Sequence, residues 1–220
     1  MDGDRHSVAH LLELITDEDA KARREAENGV RQFNLAVDII RDHVKDEERP
    51  FRLSPRYFLQ LNAAALDGIH SMAGAFRNSH VSISGSEHTP PEAYMVPEEV
   101  QALCDYVNNC WHDRDGLHLC AYTLWKVNWI HPFADGNGRT ARTISYIVLS
   151  ARLDGLLPGS PTIPDQIAQN KKPYYTALEA ADRAWSKTGE VDVSEMEQML
   201  RGMLARQLAS AIPGIESINA

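Results

Sequence analysis

Leu117-His-Leu-Cys-Ala-Tyr-Thr-Leu-Trp-Lys-Val-Asn-Trp-Ile130 runs straight into His131-Pro-Phe-Ala-Asp-Gly-Asn-Gly-Arg-Thr-Ala-Arg142. The first segment is apolar nearly all round, the pattern of a helix buried in a core. The second breaks it with proline and two glycines before helical spacing resumes, so a further helix is expected from Asn137 to Leu153. Outward from this pair, the punctuation keeps favouring helices. Thr16-Asp-Glu-Asp19 places acidic residues at a helix start, and Val30, Phe33, Val37, Ile40 and Val44 follow at helical spacing. Ser54-Pro55 joins a capping hydroxyl to a first-turn proline, ahead of Phe58, Leu61, Ala65 and Ile69 on one side. Pro97-Glu-Glu opens a helix holding Val100, Leu103 and Val107, and two more helices are expected over Pro173–Trp185 and Ser194–Ala211.

One stretch departs from this period. Val81-Ser-Ile-Ser-Gly-Ser86 alternates apolar and polar residues and leads to His88-Thr-Pro-Pro91, which predicts a short hairpin or extended flap. The expected fold is therefore all-α, with seven or eight helices and one small β element. Its 220 residues suffice for one well-buried domain. A net charge of −9 argues against a nucleic-acid binder. Three cysteines, Cys104, Cys110 and Cys120, fit a reducing cytoplasm rather than a disulfide framework. The polar, acidic start Met1-Asp-Gly-Asp-Arg-His-Ser lacks the features of a signal peptide. No apolar run approaches a membrane span, so a cytoplasmic location is expected.

The loop is where chemistry concentrates. Gly136 and Gly138 allow unusual backbone dihedrals and close approach to a ligand. The helix that follows offers unpaired N–H groups at its positive end, an anion site suited to phosphate. Arg139 and Arg142, three apart, can share one side of the first turn, and guanidinium groups pair with phosphate oxygens in parallel. Asp135 supplies a carboxylate where Mg²⁺ beside phosphates needs one. His131 is the loop's natural general base near neutral pH. Phe133 reads as a core anchor for the loop.

This stretch matches at every defined position the His-x-Phe-x-Asp/Glu-Gly-Asn-Gly-Arg-x-x-Arg motif, and so the chain resembles the Fic (Fic/Doc, Fido) family. Gly74-Ala-Phe-Arg77, Val81, Ile83, Gly85 and His88-Thr-Pro-Pro91 are similar to the family's segment through its target-docking flap, and Tyr174-Tyr175 through Asp182 to its helix beside the adenine pocket. Asp182 stands where many members have Asn. The resemblance spans roughly residues 25–205, leaving 1–24 as an N-terminal helical extension and 206–220 as a tail.

It implies transfer of AMP from ATP to a Ser, Thr or Tyr hydroxyl of a target protein. His131 would act as base, and Gly136, Asn137 and Gly138 would hold the α-phosphate through backbone N–H groups and the Asn137 side chain. Mg²⁺ would sit on Asp135, with Arg139 on the departing pyrophosphate and Arg142 on the γ-phosphate. Val81, Ser82, Ile83 and Ser84 would offer backbone to an extended target segment, with Tyr174, Tyr175 and Asp182 on the adenine side. Rival readings are transfer of another phosphate-containing group, removal of AMP by the same loop, and a non-catalytic regulatory binding module.

Many members carry an inhibitory Ser/Thr-x-x-x-Glu-Gly/Asn helix. Glu27-Asn28 offers its last two residues, but Arg23 stands in place of the hydroxyl, and residues 25–32 fit better as the first core helix. The alternatives are control by an antitoxin-like partner, control by homo-oligomerisation, and no control at all. No nucleic-acid or membrane partner is expected. Cys104, Cys110, His112, His118 and Cys120 lack zinc-ligand spacing. Trp111, Trp125, Trp129 and Trp185 read as core or interface residues, His80 and His88 as flap residues, and the acidic runs 17–19 and 46–48 as solvated faces.

Overall fold

The computed structural model describes residues 13–44 and 51–212. The acidic run 46–48 and the side chain of Val44 lie outside these. Within them the chain forms eight α-helices: α1 (Glu18–Val44), α2 (Pro55–Leu66), α3 (Val96–Asn109), α4 (Gly116–Ile130), α5 (Asn137–Arg152), α6 (Ile163–Gln169), α7 (Lys172–Thr188) and α8 (Ser194–Ser210). A 3-10 turn, Ala93–Met95, precedes α3. No sheet forms among the described residues; an antiparallel bridge joins Glu13 and His70, and Ile83 is also in an isolated bridge.

α4 is the axis. It packs on α3, α5, α7 and α8, which is why its sequence is apolar on every side. Its one charged residue by sequence, Lys126, is buried with its ammonium 3.0 Å from Glu99 and 3.6 Å from the centre of the Trp129 ring. A carboxylate and an aromatic face together replace the water this cation gives up. Burial still pulls its pKa down, and Glu99 opposes that pull. Trp125 is buried, whereas Trp111, Trp129 and Trp185 are half-buried against the core. Cys104 and Cys120 lie in the core, where burial pushes each thiol up to about 12.

The helix starts follow the punctuation. Ser54 Oγ accepts from the Arg56 N–H at 3.3 Å. Asp17 Oδ1 accepts from the Ala20 N–H at 2.7 Å. The inward face of α1 differs from expectation. Val37 and Ile40 are buried, but Val30 and Phe33 are 62% and 41% exposed. Polar Asn28 and Gln32 take the inner positions instead. Asn28 Nδ2 donates to the carbonyls of Asp67 (2.8 Å) and Ala65 (3.3 Å), and Gln32 Nε2 to that of Leu61 (3.0 Å). The end of α2 has carbonyls that no helical N–H reaches, and the Asn28 amide serves those of Ala65 and Asp67 where a valine cannot.

Two further differences stand out. α6 went unmarked, although Thr162 and Asp165 form a capping box at its start. The 81–86 stretch builds no strand ladder among the described residues; it is an extended loop turned where the Ser86 N–H donates to the Ile83 carbonyl at 3.2 Å. Its alternation is real all the same, for Val81 and Ile83 are buried while Ser82 is exposed.

Candidate active site

The loop of residues 131–136 joins two helix ends, the C-terminus of α4 and the N-terminus of α5. His131 closes α4 in the left-handed region (φ 51°, ψ 60°), its N–H donating to the Val127 carbonyl at 2.9 Å. For a residue with a Cβ that conformation costs roughly 1–2 kcal/mol, so the surroundings must hold it. Arg77 does so: Nε donates to the His131 carbonyl at 2.8 Å, and its backbone N–H to the Pro132 carbonyl at 2.9 Å. The imidazole is buried yet lines a cleft. Its Nδ1 lies 3.3 Å from the Asn128 carbonyl. A carbonyl can only accept, so Nδ1 carries the hydrogen and Nε2 the basic lone pair.

Gly136 is the second left-handed residue of the loop (φ 77°). A Cβ there would sit 3.0 Å from Asn62 Nδ2, so both dihedral and space demand glycine. Asn62 is fully buried and bridges the loop to the chain before the flap: Nδ2 donates to the Asp135 carbonyl (3.0 Å), while Oδ1 accepts from the Gly74 N–H (3.0 Å). Phe133 is buried against Phe76, as its anchoring role requires.

Asn137 lines the cleft and also ties the loop to itself. Its Oδ1 accepts from the Phe133 N–H and its Nδ2 donates to the Phe133 carbonyl, both at 2.8 Å. The carboxamide therefore staples the loop across its own turn.

The first turn of α5 has Arg139 and no acidic residue, the reverse of the usual dipole preference. That arrangement suits an anionic ligand. Two carboxylates flank Arg139: Glu25 Oε1 lies 3.2 Å from Nη1, and Asp135 Oδ2 lies 3.3 Å from Nη2. Arg142 folds beside Gly138, with Nη1 3.3 Å from where a Cβ would stand. Around them opens a cleft of about 420 Å³, within the range of small-molecule sites. Asn128, His131, Asp135 and the 136–138 backbone line it, with Arg139, Arg142 and Glu25. Across from these stand Ile83 of the flap and Lys171, Tyr174 and Tyr175 at the start of α7.

Asp182 is engaged elsewhere, its Oδ1 accepting from Trp125 Nε1 at 2.9 Å across α4 and α7. Glu27 is exposed, and its nearest cation is Arg24 at 3.5 Å. Residues two apart on a helix face away from each other, which is why Glu25, and not Glu27, reaches the cleft. Sequence reading passed over Glu25, Asn128, Lys171 and Asn62. The signal for Asn128 was a polar residue in an otherwise apolar helix, and for Lys171 a basic pair ahead of a helix-opening proline.

Among the described residues no cluster of three His, Cys, Asp or Glu side chains is placed to hold a metal alone. The half-exposed Asp135 carboxylate fits Mg²⁺ of the other kind, bound through one or two carboxylates, water and substrate phosphates.

Comparison with known proteins agrees with this geometry. The sequence profile of the Fic/DOC family matches residues 52–149, which include the whole loop and both arginines. Residues 52–149 are a Fic/DOC family domain. The chain is 29% identical over 128 residues to protein adenylyltransferase Fic of Nematostella vectensis, covering 56% of this chain and 27% of that protein. Identity is 31% over 108 residues to a probable protein adenylyltransferase of Aquifex aeolicus, covering 49% of this chain and 30% of that one. The chain thus spans less than a third of the length of these relatives. Among solved structures, a Fic-domain-containing signalling protein from Bacteroides thetaiotaomicron shares the fold with a TM-score of 0.67 at 22% identity, over 86% of this chain and 72% of that one. The Bartonella tribocorum effector BepC, solved with AMPPNP bound, has a TM-score of 0.58 at 16% identity, over 86% and 88%. Among the described residues of the Fic fold no helix is long and apolar enough to cross a membrane.

Proposed function

We propose that this Fic domain transfers AMP from ATP to a side-chain hydroxyl of a target protein. One observation carries the reading: a histidine whose Nδ1 is committed to a backbone carbonyl shares a cleft with the arginine-bearing N-terminus of α5. The names of the Nematostella and Aquifex relatives support it, and AMPPNP in a protein of the same fold makes ATP the nucleotide to test first.

In this reaction the target oxygen forms a bond to the α-phosphorus as the bond from that phosphorus to the pyrophosphate oxygen breaks. His131 Nε2 takes the hydroxyl proton. The N–H groups at the start of α5 hold the α-phosphate, and Arg139 and Arg142 balance the charge on the departing pyrophosphate. Asp135 would hold Mg²⁺, which supplies charge neutralisation to the phosphates when bound. Tyr174, Tyr175 and Lys171 form the wall available to the nucleoside. Ile83 sets the flap over the cleft, leaving the backbone around Ser82 and Ser84 to receive an extended target segment.

The test is intact mass of candidate targets in a lysate, and of the chain itself, after incubation with ATP and Mg²⁺. A gain of one AMP is expected. A gain of phosphate would move the assignment to phosphotransfer, and ATP binding with no gain on any target would favour a binding module.

The Glu25–Arg139 pair bears on affinity. Both side chains are partly exposed, and such pairs are worth about 0.2–1 kcal/mol. A polyphosphate can displace Glu25 but must give up that much to do so. Glu25→Gln is expected to tighten ATP binding roughly two- to fivefold, read by titration calorimetry. Unchanged or weaker binding would show that Glu25 does not compete for Arg139.

A further inference from the structure

Arg77 lies outside the cleft and is 2% exposed. Among the described residues no carboxylate forms an ion pair with it, and burial pulls its pKa down while Glu92 opposes that. A buried cation without a counter-ion demands another use for its donors, and here that use is backbone carbonyls. One group of contacts brackets the candidate base: Nη2 to Ile130 (3.4 Å), Nε to His131 (2.8 Å) and the backbone N–H to Pro132 (2.9 Å), three consecutive carbonyls. The other group holds both ends of the flap, Nη1 to Ser79 at 3.0 Å and Nη2 to Pro91. His88 adds a separate tie from the flap to α4, its Nε2 lying 2.7 Å from the Trp129 carbonyl.

We propose that Arg77 is a positioning residue that makes the left-handed His131 backbone and the target-docking flap a single rigid unit, so that the base and the target backbone keep a fixed spacing. The assignment rests on the adenylyl-transfer reading above. It draws on the planar fork of the guanidinium, whose donors point in several fixed directions at once. A lysine keeps the charge and the backbone contact to Pro132 but concentrates its side-chain donors at one point, and cannot span from residues 130 and 131 to Ser79 and Pro91. The dipole at the C-terminus of α4 favours either cation, so charge alone does not account for the arginine.

The test uses the full chain as wild type and Arg77→Lys, with Arg77→Gln, neutral and able to keep a single carbonyl, read the same way should the lysine variant not fold. Amide hydrogen exchange is expected to quicken in both 78–91 and 131–136 while α4 and α5 keep their protection. In the transfer assay kcat is expected to fall about a hundredfold, the scale of a misplaced reacting group, with KM for ATP unchanged. Unaltered exchange in both segments, or loosening of only one, would overturn the coupling. So would loosening throughout the domain with kcat falling only in proportion to the unfolded fraction, since that marks a merely structural arginine. If the wild type transfers no AMP, that counts against the adenylyl-transfer reading, while the exchange measurement still decides the role of Arg77.

Discussion

His131→Ala is expected to fold like the wild type and to lose AMP transfer by about 10²–10⁴-fold, the usual contribution of a general base. The two halves of that expectation come from different atoms. The loop is held through the backbone of residue 131: its N–H reaches Val127 and its carbonyl takes Arg77 Nε. Alanine keeps both. The contact of ring Nδ1 with the Asn128 carbonyl is long, 3.3 Å, and its loss leaves that acceptor at the edge of a cleft that water can enter. Nothing else lining the cleft is a better proton acceptor beside the α5 N-terminus, because Asp135 and Glu25 are both paired with Arg139. The measurement is thermal melting beside transfer rate, on the same preparation. A folded variant that still labels a target at near wild-type rate would remove His131 from the chemistry.

Asn137→Ala is expected to fail on both measures. Its carboxamide satisfies the N–H and the carbonyl of Phe133, whose side chain is buried. Each buried group left unpaired costs about 1–3 kcal/mol, together about 2–6 kcal/mol. At about 2–4 °C per kcal/mol for a domain of this size, Tm should fall on the order of 10 °C. Transfer should fall further than melting explains, since the turn that carries Phe133 also carries His131. Asn137→Asp sharpens the test: it keeps the acceptor and the shape, but sets a carboxylate oxygen against the Phe133 carbonyl. Had the side chain been a phosphate ligand, Asn137→Ala would weaken ATP binding and leave Tm alone. That pattern would restore the role expected from sequence.

The contrast between these two residues shows what a sequence carries. That His131, Asp135, Arg139 and Arg142 line one cleft was legible because they are neighbours in the chain: an imidazole, a carboxylate and two guanidiniums at the join of two helix ends. Asn137 belongs to the same string, but its partner is a backbone, and nothing in a residue's identity says whether an amide will face a ligand or its own loop. Helices α2 to α5 were legible from caps and apolar spacing. The face of α1 was not, because Asn28 and Gln32 are buried for the carbonyls at the end of α2, far from them in the chain. Glu25 escaped for a related reason. Choosing it over Glu27 requires the helical phase of α1, and Val30 and Phe33 indicated the wrong one.

That phase has a consequence for timing. Glu25, Asn28 and Gln32 lie three and four apart, on one side of α1. The last two fix the helix to α2, and Gln32 Oε1 also accepts from Thr143 Oγ1 of α5 at 3.2 Å. Rolling α1 to withdraw Glu25 would break all of these together. Glu25 therefore leaves Arg139 by turning about its own side-chain bonds, a picosecond-to-nanosecond event for a partly exposed residue. Under the proposed function, exchange of carboxylate for phosphate on Arg139 would accordingly be a local and rapid competition, set by concentration and charge, waiting on no slower rearrangement of the helices.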